Sequence, residues 1–539
     1  MPVRLTEIYV TLDHDEGDMR GAAAKALGLG ADDIASVEIL RRAIDARRKP
    51  NIRFVYTLLV TLADPAREAE AVERAAEGPA RIETPSAPEA LEPGTEPLDG
   101  PVVVVGAGPA GLFAALRLAE AGYAPILLER GRAVDRRRED VRSFARDGAL
   151  DPESNVVFGE GGAGTFSDGK LTHRAESGES RLVAETLAAC GAPDDVTFDA
   201  RPHVGSDVLP GVVAALRERI VKAGGEVRFE SRATGIRLAD GRLGRMDVVS
   251  PDGRDEIAPG AVVIAPGLSA RDTWRDLAEA GVALEARPTL IGVRVEHKQE
   301  TIDRAQYGAL AGHPRLGAAE YFLKRPASGN LRPVHSFCMC PGGWVIPVSS
   351  EEGMLSSNGM SRRARSSGFA NSALVAPVGP DDYGSGGAFA GVEFIEKLES
   401  EAFRAGGEDY SLPAQRLNDF LRGVPSIRLP PAAAGTRRRM ARVWEILPPA
   451  VVASIRAAVR EFAMTIRGFT GPSAGVYGAE LRAGSPVRIV RGDDGAAPSA
   501  ANLYPTGEGA GYSGGIMSSA VDGLRQAARV VARYAPPEA

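Results

Sequence analysis

The stretch VVVVGAGPAGLFAALRLAEAGYAPILLERG, Val102–Gly131, decides the fold. Its first four residues form an unbroken apolar run, as a parallel strand buried on both faces requires. The glycine turn that follows has the G-x-G-x-x-G spacing of a dinucleotide-binding loop. Gly106 allows the tight turn, with Ala107 between the first two glycines. Gly108 lets the backbone approach a pyrophosphate, and Gly111 lets the helix pack on the strand. A helix opening at Pro109–Ala110 directs its free N–H groups and positive dipole end at phosphate. A second strand, APILLE, ends at Glu129, whose carboxylate suits ribose hydroxyls and would repel a 2′-phosphate. The glycine motif alone is weak evidence. With the strand before it, the helix after it and the acid at the right distance, it meets the structural context the motif requires.

Working outward, the strongest partner signal lies some 400 residues later, in NLYPTGEGAGYSGGIMSSAVDGLRQA, Asn502–Ala527. Glu129-Arg130-Gly131 resembles the ERG after the second strand of glutathione-reductase-like FAD proteins. The late segment resembles the motif with which those proteins touch the ribityl chain, with Glu508 where many have Asp. EVRFESRATGIRL resembles the strand whose backbone holds the adenine, near Ala233. AVVIAPG, ending at Gly267, resembles the strand leading to their A-T-G turn, with Pro266 in place of Thr. FGEGGAGTFSDGKL (Phe158–Leu171), FCMCPGG (Phe337–Gly343), NGMS (Asn358–Ser361), SPVRIVR (Ser485–Arg491) and AIDARRK (Ala43–Lys49) narrow the likeness. Together they resemble a family of bacterial FAD-dependent dehydrogenases of largely unassigned substrate, over nearly the whole chain.

That resemblance implies an α/β protein holding FAD in a three-layer (ββα) Rossmann-like domain. It also implies a redox role: hydride transfer between flavin N5 and a small molecule or NAD(P)H. The implied cofactor contacts are Gly106, Ala107, Gly108, Pro109, Ala110 and Gly111; Glu129, Arg130 and Gly131; Gly161, Gly162, Gly164, Thr165 and Ser167; Ala233 and Gly267; and Gly507, Glu508, Gly511, Tyr512, Gly514, Gly515 and Ile516. The last helix is expected to begin near Ser513–Ile516, its N–H groups turned toward charge that develops on a reduced flavin. No second strand–GxGxxG–helix unit exists, so any nicotinamide would bind transiently.

The remaining sequence places these motifs in domains. Residues 1–76 read as a small α/β module: a strand (VRLTEIYVTL), a helix stopped by Gly28 and Gly30, a second helix over ADDIASVEILRRAIDARRKP, and a strand (NIRFVYTLLVTL). Residues 77–100 are rich in Pro, Glu and Ala and read as a linker. Residues 101–284 plus 498–539 form the dinucleotide domain, and 285–497 an inserted α+β substrate domain.

Other candidates carry competing readings. Lys170 is a point charge near the ring or a solvated surface lysine. His173 is a proton donor or a structural histidine, and Asp168 can simply cap a turn. Cys338 and Cys340, two apart on a strand, face one side. They are buried small side chains or a redox pair without CxxC spacing. His335 beside them does not complete four metal ligands, and no metal site is expected. Arg488 and Arg491 bind an anionic substrate or form structural ion pairs.

Composition bounds the rest. The chain has 539 residues, a formal net charge of -7 and three cysteines, which fits a reducing, cytoplasmic setting with no disulfide scaffold. The N-terminus lacks the apolar core of a signal peptide, and no run reaches membrane-spanning length. The basic run RRAIDARRK, Arg41–Lys49, is read as a solvated helical face. The alternative is a flavoprotein that binds or modifies RNA through its N-terminal module; the overall charge disfavours nucleic acid. Oligomeric state is left open.

Overall fold

The computed structural model describes residues 2–75, 80–83, 91–171, 177–384 and 386–537. The chain is a mixed α/β protein built around three sheets, with a smaller antiparallel sheet and two strand pairs beside them.

The N-terminal sheet contains strands Val3–Thr11, Ile34–Asp45, Arg53–Leu62 and Ala80–Ile82. Its order is second–third–first–fourth, with helices Met19–Leu27 and Glu68–Arg74 between strands. That is the βαββαβ arrangement of a ferredoxin-like unit. Arg53–Leu62 alternates strictly and buries Phe54, Tyr56, Leu58, Val60 and Leu62. The helix expected over residues 31–50 is instead the strand Ile34–Asp45. Register shifts between Ile34 and Ser36 and between Ile39 and Arg41 insert extra residues into it. Each insertion breaks the two-residue period and leaves an apolar spacing that imitates a helix. The residues of the expected linker that are described are also structured. Ala80–Ile82 pairs with Val3–Leu5. Gly94 and Glu96 bond to Val531 and Arg533 at the end of the last helix.

The basic run begins on the strand Ile34–Asp45 rather than on a helix; Arg41, Arg47, Arg48 and Lys49 are exposed, as a solvated face requires, and Arg42 turns to the next domain. The Arg42 guanidinium donates to both Asp199 oxygens, at 2.8 and 2.9 Å, and its backbone joins Phe198 and Ala200 as a bridge. Arg42 docks the N-terminal module onto the next domain.

The central sheet is five-stranded and parallel, in the order Leu503–Pro505, Ala261–Ile264, Val102–Val105, Ile126–Leu128, Glu226–Arg228. Val102 and Val104 enter one core with helices Pro109–Glu120, Leu209–Lys222 and Ile516–Arg533. Val103 and Val105 enter another with the antiparallel strands Arg232–Ala239 and Arg242–Ser250 and with Trp274. Two covered faces explain why all four valines are buried. The last helix packs along the first helix of the glycine turn, so the late motif lies beside the early one. Gly523 allows this approach: a Cβ there would stand 2.1 Å from the Ala110 carbonyl oxygen.

The third sheet has seven strands, in the order Lys324–Arg325, Val334–Cys340, Phe369–Val378, Thr289–Lys298, Gly475–Glu480, Leu412–Arg416, Arg438–Met440. The chain enters and leaves this region through Leu284–Ala286 and Val487–Ile489, which pair with each other. Among the described residues no helix is long and apolar enough to cross a membrane.

Candidate functional site

A long cleft runs between the central sheet and the seven-stranded sheet. Both glycine segments line it side by side, through Gly106, Gly108, Pro109 and Ala110 and through Thr506, Gly507, Glu508, Gly515 and Ile516. The loop residues Gly162, Gly164, Ser167 and Lys170 join them, as do Glu129, Arg130, Ala233 and Gly267.

The three glycines of the first turn have different neighbours. Gly106 has φ +97°, and a Cβ on it would lie 2.3 Å from the Ala265 carbonyl oxygen. A Cβ on Gly111 would lie 1.8 Å from the Gly106 carbonyl oxygen. These two serve the protein's own packing. A Cβ on Gly108 would meet nothing within 4 Å, and the same holds for Gly267 and Gly515 around the same cleft. Nothing in the chain requires glycine packing at Gly108. Bare backbone facing an open cleft at a helix N-terminus is what a bound diphosphate requires.

Glu129 is 5% exposed. Its Oε2 accepts from Ala107 N at 2.8 Å, and its Oε1 from Gly131 N at 2.9 Å and Gly159 N at 2.8 Å. A carboxylate has about four acceptor positions, so about one remains, on Oε2, for a ribose hydroxyl. Arg130 is held by Glu153 at 2.7 Å and Asp272 at 2.9 Å and stacks on Phe158.

Other expected contacts shape the cleft from behind rather than line it. Gly161 donates to the Ala107 carbonyl at 2.8 Å, and the Thr165 hydroxyl donates to the Glu160 carbonyl at 3.0 Å. Gly511 packs against Arg488 and accepts from Arg287. The Tyr512 hydroxyl donates to the Ile489 carbonyl at 3.0 Å, and its ring stacks under Arg491 at 3.7 Å. Gly514 accepts from the Ser518 hydroxyl at 2.9 Å. Gly511 and Tyr512 are therefore second-segment supports, because the chain turns away from the cleft between Glu508 and Gly515. Arg491 and Arg488 are structural: Arg491 clamps Asp522 at 2.9 Å and Arg488 pairs with Glu285 at 3.1 Å. Asp522 also accepts from the Thr506 hydroxyl and Gly507 N, and so fixes the turn before Glu508. Burial pushes the Glu508 carboxyl up to about 7, with the Gly515 N–H opposing.

The far end of the cleft is polar, lined by Asp168, Lys170, Cys338, Asn358, Glu480 and Arg482. Asp168 is buried and bonded to Ser361; burial raises its carboxyl, opposed by Lys170 and Arg365. Lys170 donates to the Met339 carbonyl and lies 3.6 Å from Asp168 and 3.8 Å from Glu320. Burial disfavours its ammonium, but Glu320 and Asp168 outweigh burial and hold it charged. It is a fixed cation rather than a solvated lysine. Arg294, fully buried, pairs with Glu480 through two bonds of 3.0 and 2.9 Å. His173 lies outside the described residues. Among those described, no group of three His, Cys, Asp or Glu is placed to hold a metal.

Arg137 is a support the sequence reading missed. It is fully buried and donates to the carbonyls of Asn155, Val156, Gly159, Glu160 and Gly162, at 2.6–3.1 Å. It thereby holds the glycine loop against the nucleotide turn, where a Cβ on Gly162 would stand 3.0 Å from Gly108 Cα. Its signal was the apolar stripe Val134, Phe144 and the partly buried Val141, on whose face Arg137 falls.

Comparison with known proteins adds the family. A protein of Clostridium beijerinckii, described as uncharacterized, is 41% identical over 542 residues, covering 100% of both chains. The chain belongs to that family. Residues 99–150 match an FAD binding domain, residues 288–483 an FAD-dependent protein C-terminal domain-like model, and residues 2–61 a domain of unknown function. Two of these models describe FAD proteins, and FAD is the cofactor of this chain. Among solved structures, a geranylgeranyl bacteriochlorophyll reductase-like protein from Thermoplasma acidophilum is 13% identical, covers 81% of this chain and 79% of its own, and gives a TM-score of 0.33. CtdE in complex with FAD is 11% identical, covers 80% and 82%, and gives 0.29. The chain spans about half the length of two further matched structures, 43% and 48%.

Proposed function

We propose that this chain is an FAD-dependent dehydrogenase acting on a small molecule. In this reading the parallel sheet, its helices and the small antiparallel sheet form a three-layer Rossmann-like FAD domain, and residues 285–497 are the inserted substrate domain. The observation that carries it is one cleft bordered by both glycine segments, with the Cβ directions of Gly108, Gly267 and Gly515 open toward it.

Gly106–Gly111 and the helix starting at Pro109 hold the pyrophosphate, and Glu129 orients the adenosine ribose. Glu508 and the N-terminus of the last helix line the cleft beside them. Lys170 presents a fixed positive charge at its polar end, where negative charge on a reduced ring is stabilised. When bound, FAD supplies a two-electron acceptor; the chain supplies position, charge and a dry wall around it. NAD(P)H is a transient electron donor or acceptor in this reading, and nucleic acid plays no part.

The test is spectroscopic. The purified protein is yellow, with bands at about 370 and 450 nm, and a small-molecule donor bleaches it anaerobically. A colourless protein that takes up no added FAD overturns the reading. A panel of metabolites with NADH and NADPH, none of which bleaches bound flavin, overturns the dehydrogenase assignment.

A further inference from the structure

The strand Val334–Cys340 is irregular at the point where it reaches the cleft. Phe337 pairs with Ala373, but Cys340 pairs with Asn371, so two residues on one strand oppose one on the other. Cys338 occupies this bulge with φ +42°, a left-handed conformation that non-glycine residues rarely adopt. The bulge divides the two thiols between different surroundings. Cys338 is partly exposed and lines the cleft, whereas Cys340 is buried behind it. The Cys340 thiol turns back to donate to the Cys338 carbonyl at 3.3 Å. In a flat strand, residues two apart are separated by about 6.6 Å, the outer limit of the roughly 4.4–6.8 Å that a disulfide spans. The bulge bends the strand at this point, and the Cys340 sulfur lies 3.3 Å from the Cys338 carbonyl oxygen, turned back toward its neighbour.

The surroundings suit a two-electron couple. Arg294 donates to the Cys338 carbonyl at 3.2 Å, and Lys170 donates to the carbonyl of Met339, the residue between the cysteines. Burial pushes both thiols above their ordinary range, with Arg294 and Lys170 opposing, so the reduced pair is two neutral thiols. The Asp168 carboxyl acts electrostatically on both.

Resting on the FAD reading above, we propose that Cys338 and Cys340 form a redox dithiol that exchanges two electrons with the bound flavin. On oxidation both S–H bonds break and one S–S bond forms. Two electrons and one proton pass to the oxidised flavin, and the second proton goes to the Asp168 carboxylate. On reduction the same atoms return, and the reduced flavin is the reductant. Cys338 is the sulfur that meets the cleft and Cys340 the one that closes the ring. Cys190, buried at the end of helix Gly178–Ala189, takes no part.

The experiment uses the FAD-loaded full chain, without oxygen. Dithionite is added stepwise while flavin absorbance is followed, and thiols are counted in denaturant before and after. The oxidised protein is expected to take up about twice the electrons of its bound flavin, and to rise from one titratable thiol to three. Cys340→Ser and Cys338→Ser, normalised to bound flavin, take up half as much, and Cys190→Ser takes up the full amount. Oxidised wild-type protein that already shows three thiols and accepts only the flavin's two electrons overturns the proposal. That measurement needs no variant to fold. Failure to retain FAD is a separate result and counts against the function proposed above.

Discussion

Arg137→Met is the sharpest test of how the cofactor cleft is held open. Methionine fills most of the space but donates nothing. Five backbone carbonyls, of Asn155, Val156, Gly159, Glu160 and Gly162, then lose their shared donor. A buried acceptor left without a partner costs about 1 kcal/mol or more. The Gly159 and Glu160 carbonyls keep other donors, Gly162 N at 2.9 Å and the Thr165 hydroxyl at 3.0 Å, so three acceptors are left bare, roughly 3 kcal/mol in all. That cost falls on residues 155–162 rather than on the sheet, because all five acceptors belong to this one segment. The segment presses Gly161 and Gly162 against the nucleotide turn, so FAD binds only the ordered form. Apparent affinity falls by the fraction ordered, and roughly 3 kcal/mol corresponds to about a hundredfold. Titration of apoprotein with FAD, followed by quenching of flavin fluorescence, should show a Kd up to about a hundredfold weaker. Hydrogen exchange should accelerate at residues 155–162 while the strand Val102–Val105 stays protected. A Kd within twofold of wild type, or global unfolding with no local effect first, would refute this reasoning.

The two glycine-to-alanine exchanges in the nucleotide turn should separate. Gly108→Ala adds a methyl that meets no protein atom within 4 Å, so thermal stability of the apoprotein holds while FAD binding weakens on the order of tenfold or more, about 1.4 kcal/mol. Gly111→Ala puts a methyl 1.8 Å from the Gly106 carbonyl oxygen, and the apoprotein itself loses about 1–3 kcal/mol in a urea titration; equal stabilities would contradict the assignment. Glu508 gives a pH signature. Its folded carboxyl titrates near 7, above the ordinary 4.5. The native apoprotein therefore binds more protons than the unfolded chain between these values. Its stabilising share is complete below about 4.5 and is lost as pH rises toward 7. Glu508→Gln should flatten the melting-temperature profile over that window, and parallel profiles for the two proteins would argue against so raised a carboxyl.

What could be read from sequence was what a local pattern fixes. Val102–Val105, the turn glycines and Glu129 lie within thirty residues of one another, and a diphosphate site imposes their spacing directly. The late segment was legible because its glycines repeat the same demand for bare backbone beside a ligand. The strand Ile34–Asp45 was misread for a local reason as well. Bulges near Ser36 and Ile39 shift which residues face inward, and no single-strand pattern shows which residue stands unpaired against the partner strand.

The supports of the site were harder to see because their partners are remote in sequence and their residue types are those of ordinary surfaces. Asp522 looks like a polar residue in an amphipathic helix until Arg491, Thr506 and Gly507 converge on it. Arg294 and Glu480 are separated by 186 residues and meet only because their strands are neighbours in the seven-stranded sheet. Charged side chains are buried where they are paired or fully bonded, so a charge on the inward stripe of a helix or strand is the usable signal. Arg137 satisfies it: it shares the buried face of its helix with Val134 and Phe144, and a buried guanidinium there must find acceptors. The nearest stretch able to offer several at once was residues 155–162, where Gly159, Gly161 and Gly162, all with positive φ, let the backbone curl its carbonyls around the guanidinium. That conjunction, an inward arginine followed by a glycine-dense loop, ties the helix to the cofactor cleft by the need to satisfy buried charge.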